Sequence, residues 1–467
     1  MGRPFYRVDE LRAIERSAAQ TLPVGTLMAR AGRAAAAHIA QRHAGAASSV
    51  CIVCGPGNNG GDGFVVAAEL RARGHDVALA APGYYRDVIV SQGFTFHSVG
   101  PDADPDVDRA LIAKVLHPTR GPEAIYREIL VPALRTSFEE LRAATDGADL
   151  LVSHPASLAA PLVAEVTGIR WRSTVLSPLH FLSAYDPVVP PLGPWMAALP
   201  WRWRVALAPL MARLGRAVTL PWVRGVADVR RSLGLGPGRH AAFDAQHAPG
   251  GVLALFSRVF GGPHPDWPTH VTITGQVRHD ASHGAQLAPA LTAFLDAGAP
   301  PVVFTLGSSA VWQPGRFYEE SVEAARQLGV RAVLLAGAEQ APVLARYHSP
   351  TVFVTDAAPH TLLFPRAAAV VHQCGMGTLG TALHAAVPQL AVPFANDQPD
   401  NASRLERLGV ARTVSQGAYR ASRVARALRQ LLHTPSYRQR AETLAAVIRT
   451  EHGAETAAGC LERALEG

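Results

Sequence analysis

The chain has 467 residues, 48% hydrophobic and 17% charged. At roughly 100–200 residues per domain this predicts two or three folded domains, and it excludes a disordered chain, which needs low hydrophobicity and high net charge. The 44 Lys plus Arg against 37 Asp plus Glu give +7, but Lys114 is the only lysine and no basic run is interleaved with aromatics, so no nucleic-acid partner is expected.

Residues 1–48 carry two helical patterns; in the second, Leu27, Met28, Ala31, Ala35 and Ile39 share one face. The Met1-Gly2-Arg3-Pro4 start does not read as a signal peptide, and no stretch of about 18 uncharged apolar residues exists. A cytoplasmic protein without a spanning helix is expected. Four cysteines make no disulfide framework in a chain this long. Cys51 and Cys54 lie in an apolar run, and positions three apart on a strand point to opposite faces, which argues against a zinc or redox pair.

From residue 49 the chain repeats a short apolar run, a glycine turn and an amphipathic helical pattern. The runs are 49–54 then 63–73, 149–152 then 159–167, 301–306 then 317–328, 332–336 then 342–347, and 367–371 then 378–386. Strands alternating with helices predict parallel sheets. The rhythm breaks over 187–251, where Trp195, Trp201, Trp203 and Trp222 stand among prolines and arginines, and again over the polar stretch 275–286. The expected division is a helical extension 1–48, a first Rossmann-like domain 49–275, a linker 276–287, a second such domain 288–440, and helices 441–467.

His372-Gln373-Cys374-Gly375-Met376-Gly377-Thr378 follows a strand and opens a helix. Small residues there let the backbone approach a ligand, and a helix start offers free N–H groups and a positive dipole end, which suits a phosphate or diphosphate. A bare strand–helix turn would show the same glycines. Ala386-Val387-Pro388 follows, then Val392-Pro393-Phe394-Ala395-Asn396-Asp397-Gln398-Pro399. With these the chain resembles family 1 glycosyltransferases of the GT-B fold over about residues 83–467. The resemblance implies two Rossmann-like domains facing across a donor/acceptor cleft. It also implies that Asp397 and Gln398 hydrogen-bond the sugar hydroxyls. Gly307, Ser308 and Ser309 would lie against the donor phosphates, and Pro359-His360 would form a nucleotide-facing turn.

Several residues depart from the family. Gln373 stands where many members carry a diphosphate-contacting histidine, with His372 next to it as a substitute. Thr381 and Ala357 replace the ribose-binding glutamate and base-stacking tryptophan of plant members, so dTDP-sugars fit as well as UDP-sugars. Asp102-Ala103-Asp104 superficially resembles a metal-binding Asp-x-Asp of a different fold, but it reads as a solvated turn, and no metal site is expected.

The segment 1–82 is different again. Asn58-Asn59-Gly60-Gly61-Asp62-Gly63, with Leu27-Met28-Ala29-Arg30-Ala31-Gly32 upstream, resembles the start of NAD(P)H-hydrate epimerases. The later epimerase segments are absent, and the foreign piece fits as the first β-α-β of the acceptor domain.

The resemblance implies an inverting, metal-independent transfer of a hexose from a nucleotide sugar, without further cofactor, to a hydroxyl of a small lipophilic or phenolic acceptor. A hydroxyl needs a base at neutral pH, and His154 and Asp62 are the candidates. The bland alternatives are a loop-bonded histidine and a helix-capping aspartate. The Trp- and Arg-rich stretch 195–224 reads equally as an acceptor-cleft lining, a membrane-resting surface, or a plain amphipathic helix pair. Two other functions stay open: an epimerase-like repair protein, and a nucleotide-sugar-binding protein without activity.

Overall fold

The computed structural model describes residues 48–54, 61–101, 108–191, 193–278, 286–311 and 313–466. The helical patterns of 1–47, the Asn58–Gly60 part of the glycine loop, the Asp102–Asp104 turn and most of the expected linker lie outside the described residues.

The first sheet has seven parallel strands: β1 (Ser49–Val53), β2 (Asp76–Ala81), β3 (Thr95–Ser98), β4 (Leu150–Ser153), β5 (Arg170–Val175), β6 (Val252–Ala254) and β7 (Val271–Ile273), in the order β3-β2-β1-β4-β5-β6-β7. Val50 pairs with Val77 on one side and Leu150 on the other. Central parallel strands are covered on both faces, which is why they read as unbroken apolar runs. Val50 and Ile52 pack with Phe64 and Leu70 of α1 (Gly61–Ala72). Cys51 and Val53 face the other way, onto α2 (Leu134–Ala144) and α3 (Ala159–Thr167). Cys54 sits with Val50 and Ile52, so the two cysteines do face opposite sides of the sheet. The tryptophan-rich insertion forms α4 (Trp201–Thr219) and α5 (Arg224–Ser232), with Trp222 and Val226 packed into the α2–α3 face.

The second sheet has six strands: β8 (Val302–Thr305), β9 (Ala332–Leu335), β10 (Val352–Thr355), β11 (Ala369–His372), β12 (Gln389–Ala391) and β13 (Ala411–Thr413), in the order β10-β9-β8-β11-β12-β13. Val302 and Phe304 pack with α6 (Phe317–Leu328), while Val303 faces Leu291 and Leu363. The remaining helices used below are α7 (Met376–His384), α8 (Gln398–Arg407), α9 (Ala421–His433), α10 (Pro435–Ile448) and α11 (Gly453–Glu466).

The last of these packs on α1 of the first domain. Residues Ala441 and Ile448 of α10 pack with Leu379 and Leu405 of the second domain. Arg73 of the first domain pairs with Glu462 of α11 at 2.8 Å, and Arg170 donates to the Leu465 carbonyl at 2.6 Å. The two interdomain crossings touch: a Cβ on Gly275 would stand 2.8 Å from that of Glu451, and one on Gly453 2.5 Å from the Gln276 carbonyl oxygen.

Candidate functional site: a cleft between the two sheets

In both sheets the strand order reverses beside the first strand, between β1 and β4 and between β8 and β11. Ligands of open α/β sheets bind at the carboxyl ends of strands at such points. A cavity of about 630 Å³ lies there, and it is lined from both domains. Its apolar walls include Tyr126, Leu130, Met196, Met211 and Trp222; its polar end is formed by Gln373, Gly375 to Thr378, and Asn396 to Gln398.

The polar end is built on a sharp turn. Cys374 has φ 70, and Gly375 then caps α7 in an extended conformation. The helix begins at Met376, two residues before the expected start, and its first bond runs from Leu379 N to Gly375 O at 3.0 Å. The N–H groups of Met376, Gly377 and Thr378 thus have no intrahelical acceptor and point, with the dipole, out of the helix start. Gln373 lies between the two glycine turns: a Cβ on Gly307 would meet its Nε2 at 2.1 Å, and one on Gly375 at 3.1 Å. Its Oε1 is buried without a hydrogen-bond partner among the described residues. The side chains of Ser308 and Ser309 lie outside the described residues.

Asn396, at φ 58, turns the chain into Asp397 and Gln398 at the start of α8. Asn401, one turn on, donates through Nδ2 to the Asp397 carboxylate at 2.8 Å and to the Cys374 carbonyl at 2.9 Å. Desolvation lifts the Asp397 carboxyl to about 6, against the lowering effect of the Asn401 bond. Gln398 accepts at Oε1 from Phe394 N at 2.8 Å and Ala395 N at 3.1 Å. That leaves its NH₂ group for a ligand.

Two histidines line the same cavity. His154 accepts at Nδ1 from Ala156 N at 3.1 Å, so its proton is on Nε2. Desolvation, and His180 nearby, lower its pKa to about 3. His180 is the reverse: Nδ1 lies 3.1 Å from the Ser177 carbonyl and must donate to it, which leaves a lone pair on Nε2. Desolvation lowers the His180 pKa as well and keeps the ring neutral. Asp62 does not line this cavity. It borders a separate space of about 20 Å³ with Cys54 and His154, and burial raises its pKa well above the ordinary carboxylate range.

The domain family described as "Erythromycin biosynthesis protein CIII-like, C-terminal domain" matches residues 322–461. O-mycaminosyltylonolide 6-deoxyallosyltransferase of Streptomyces fradiae is 30% identical over 425 residues, 85% of this chain and 92% of its own. Vancomycin aglycone glucosyltransferase of Amycolatopsis orientalis is 28% identical, over 87% and 95%. The chain belongs to the GT-B glycosyltransferases. The fold agrees: the glycosyltransferase of kitacinnamycin superposes with a TM-score of 0.67 at 22% identity, over 90% of this chain and all of that one. Glycosyltransferase VinC, solved in complex with dTDP, gives 0.62 at 20% identity, over 90% and 99%. A second family, "YjeF-related protein N-terminus", matches residues 24–94, so the N-terminal resemblance runs past residue 82, where the motifs alone had placed its end.

In this glycosyltransferase some candidate residues lie away from the cleft. His372 is buried, accepts from Cys374 N at 3.0 Å and donates to Gln389 Oε1 at 2.8 Å. Burial lowers its pKa to about 4. Both ring nitrogens are engaged in the core, so His372 is no substitute for a diphosphate-contacting histidine. Pro359 caps a short helical turn after β10, and His360 stacks on Phe364 at 4.5 Å; neither lines the cavity. The arginines of the insertion also sort unevenly. Arg204 is buried, donating to Ser403 Oγ at 3.0 Å and the Pro187 carbonyl at 2.9 Å, and Arg216 pairs with Asp244 at 2.8 Å. Arg202, Arg213 and Arg224 remain exposed.

Sequence reasoning missed His180 and Asn401. His180 follows no motif, because its role depends on where the Ser177 carbonyl falls. Asn401 had a usable signal: it stands four residues after Asp397 on a helix, and such positions share a face.

Proposed function

We propose that the transferase moves a hexose from a dTDP- or UDP-linked donor to a hydroxyl of a small lipophilic acceptor, with inversion and without a metal. The observation that carries this reading is one cavity lined by both domains, largely apolar on the first-domain side and polar at the α7 and α8 starts. The diphosphate would lie against the N–H groups of Met376, Gly377 and Thr378 and the NH₂ of Gln373. Charge develops on it as the glycosidic bond breaks, and preorganised donors with a helix dipole stabilise that charge. Asp397 would accept from sugar hydroxyls and Gln398 would donate to them.

The acceptor oxygen attacks the anomeric carbon from the face opposite the diphosphate and loses its proton to a base. His180 Nε2 is the neutral lone pair in the cavity wall, whereas His154, in its present tautomer, donates. Thr381 spends its hydroxyl proton on the Gly377 carbonyl at 2.9 Å, so toward a ribose hydroxyl it could act only as an acceptor, and both dTDP and UDP donors fit.

The test is incubation of purified protein with dTDP-glucose or UDP-glucose and a panel of phenolic and macrocyclic alcohols. Glycoside formation with release of nucleoside diphosphate is expected, and Asp397→Ala removes it. Failure to bind or turn over any nucleotide sugar sinks the reading; binding without transfer assigns a binding protein.

A further inference from the structure

Helix α4 is apolar on two faces. Its inner face, with Ala208, Met211 and Gly215, forms a wall of the acceptor cavity. Its outer face meets solvent: Trp203 is 54% exposed, Leu210 60% and Leu214 51%, with Trp195 at 57% just upstream. Eight of the fourteen exposed large hydrophobic residues among the described ones fall within 195–220, so this is a patch and not scatter.

The charge on this face has one sign. From residue 187 to 227 there is no aspartate or glutamate. Arg202, Arg213 and Arg224 are exposed and make no ion pair among the described residues. Eleven residues is about three helical turns, so Arg202 and Arg213 flank the tryptophan and leucines along one side. A second copy seated on this face would set arginine against arginine. A bilayer with anionic headgroups takes both features together: tryptophan and leucine enter the headgroup–acyl boundary and arginine stays with the phosphates. No described helix is long and apolar enough to span a membrane, so such a contact would be made along the surface.

We propose that the outer face of α4 docks on an anionic lipid bilayer, and that the bilayer supplies the lipophilic acceptor to the cavity behind the helix. The second clause rests on the lipophilic acceptor proposed above; the docking stands on the patch alone.

The experiment is vesicle flotation of the full chain with phosphatidylcholine alone and with phosphatidylcholine plus phosphatidylglycerol, at low and high salt. Flotation is expected with the anionic vesicles and should weaken with salt. R202E/R213E should reduce the bound fraction at least tenfold, since one arginine near such a surface is worth about fivefold in binding. L210S/L214S should reduce it in both salt conditions. Equal binding to both vesicle types, no binding to either, or an R202E/R213E variant that floats normally would overturn the proposal. So would a lipid-free dimer that R202E/R213E converts to monomer, which assigns the face to a second copy. Nucleotide-sugar binding is measured in the same preparations without vesicles. A chain that binds donor but never floats loses only the docking; one that floats but binds no donor loses only the transferase reading.

Discussion

Asn401 donates to the carboxylate of Asp397 across one turn of α8, and the same side chain accepts at Oδ1 from Ser177 of the first domain at 3.1 Å. The sugar-facing acid is thereby tied through one amide to the opposite domain. The Asn401 bond favours the charged form of Asp397, while desolvation, the larger effect, disfavours it. Donor KM is expected to rise as the pH falls through about 6. In Asn401→Leu the rise should begin at a higher pH, because a donor to the carboxylate is gone. Steady-state KM profiles from pH 5 to 8 check this; an identical midpoint in the variant contradicts it.

The same residue makes a stability prediction of opposite sense. A carboxyl whose folded pKa lies above its unfolded one contributes stability below about 3.8 that is lost as the pH rises through about 6. Above that, ionised Asp397 is a burden on the fold. Asp397→Asn should therefore lose transfer by about tenfold or more, the cost of a hydrogen bond to a charged group, yet keep or raise Tm at pH 7.5. Calorimetry beside kinetics decides it.

His180→Ala should lower kcat by about 10²–10⁴-fold with little change in donor Kd, the range for loss of a positioned base. His154→Ala should cost less. Calorimetric titration with the nucleoside diphosphate separates binding from chemistry, and equal kcat losses in the two variants would remove the distinction between them.

The interdomain seam carries buried charge beside its apolar contacts. Arg404 is buried, donates to Asp186 and, at 2.7 Å, to Asp400; Asp400 in turn accepts from Val189 N at 2.8 Å. Asp186 comes from the first domain and Asp400 from α8. Arg404→Met would leave Asp400 without its ion-pair partner and Asp186 with Arg407 alone, at 3.0 Å, a loss of about 3–5 kcal/mol. A drop in Tm that lessens toward acid pH is the expected signature: against desolvation, Arg404 helps hold the Asp186 carboxyl below its ordinary range, and that contribution fades as Asp186 takes up a proton.

Much of this was readable beforehand, for physical reasons that differ by residue. The strands showed because buried parallel strands are apolar runs, and the α7 turn showed because close backbone approach needs small residues. His372 misled because it adjoins that turn. Side chains alternate along a strand, so His372 entered the core against Gln389 while Gln373, one step on, reached the glycine turns. Arg204 could not be told from the exposed arginines of 195–224, because nothing local shows that Ser403, some 200 residues away, will meet it. His180 depends in the same way on a backbone carbonyl that no spacing marks.

Glycine at the phosphate end gives the last test. A Cβ on Gly377 would meet nothing within 4 Å, and Gly377 lines the cavity at the start of α7. Alanine there leaves the fold intact and slightly favours the helix, by up to about 1 kcal/mol. The empty space before it is where the diphosphate is proposed to lie. Gly377→Ala should therefore raise donor KM several-fold with Tm unchanged or higher. Gly307→Ala is the contrast: at φ 62, with Gln373 Nε2 at 2.1 Å from the new Cβ, it should lower Tm and weaken the donor together. If Gly377→Ala binds donor normally, the diphosphate does not lie on the α7 start, and the helix dipole has no part in its departure.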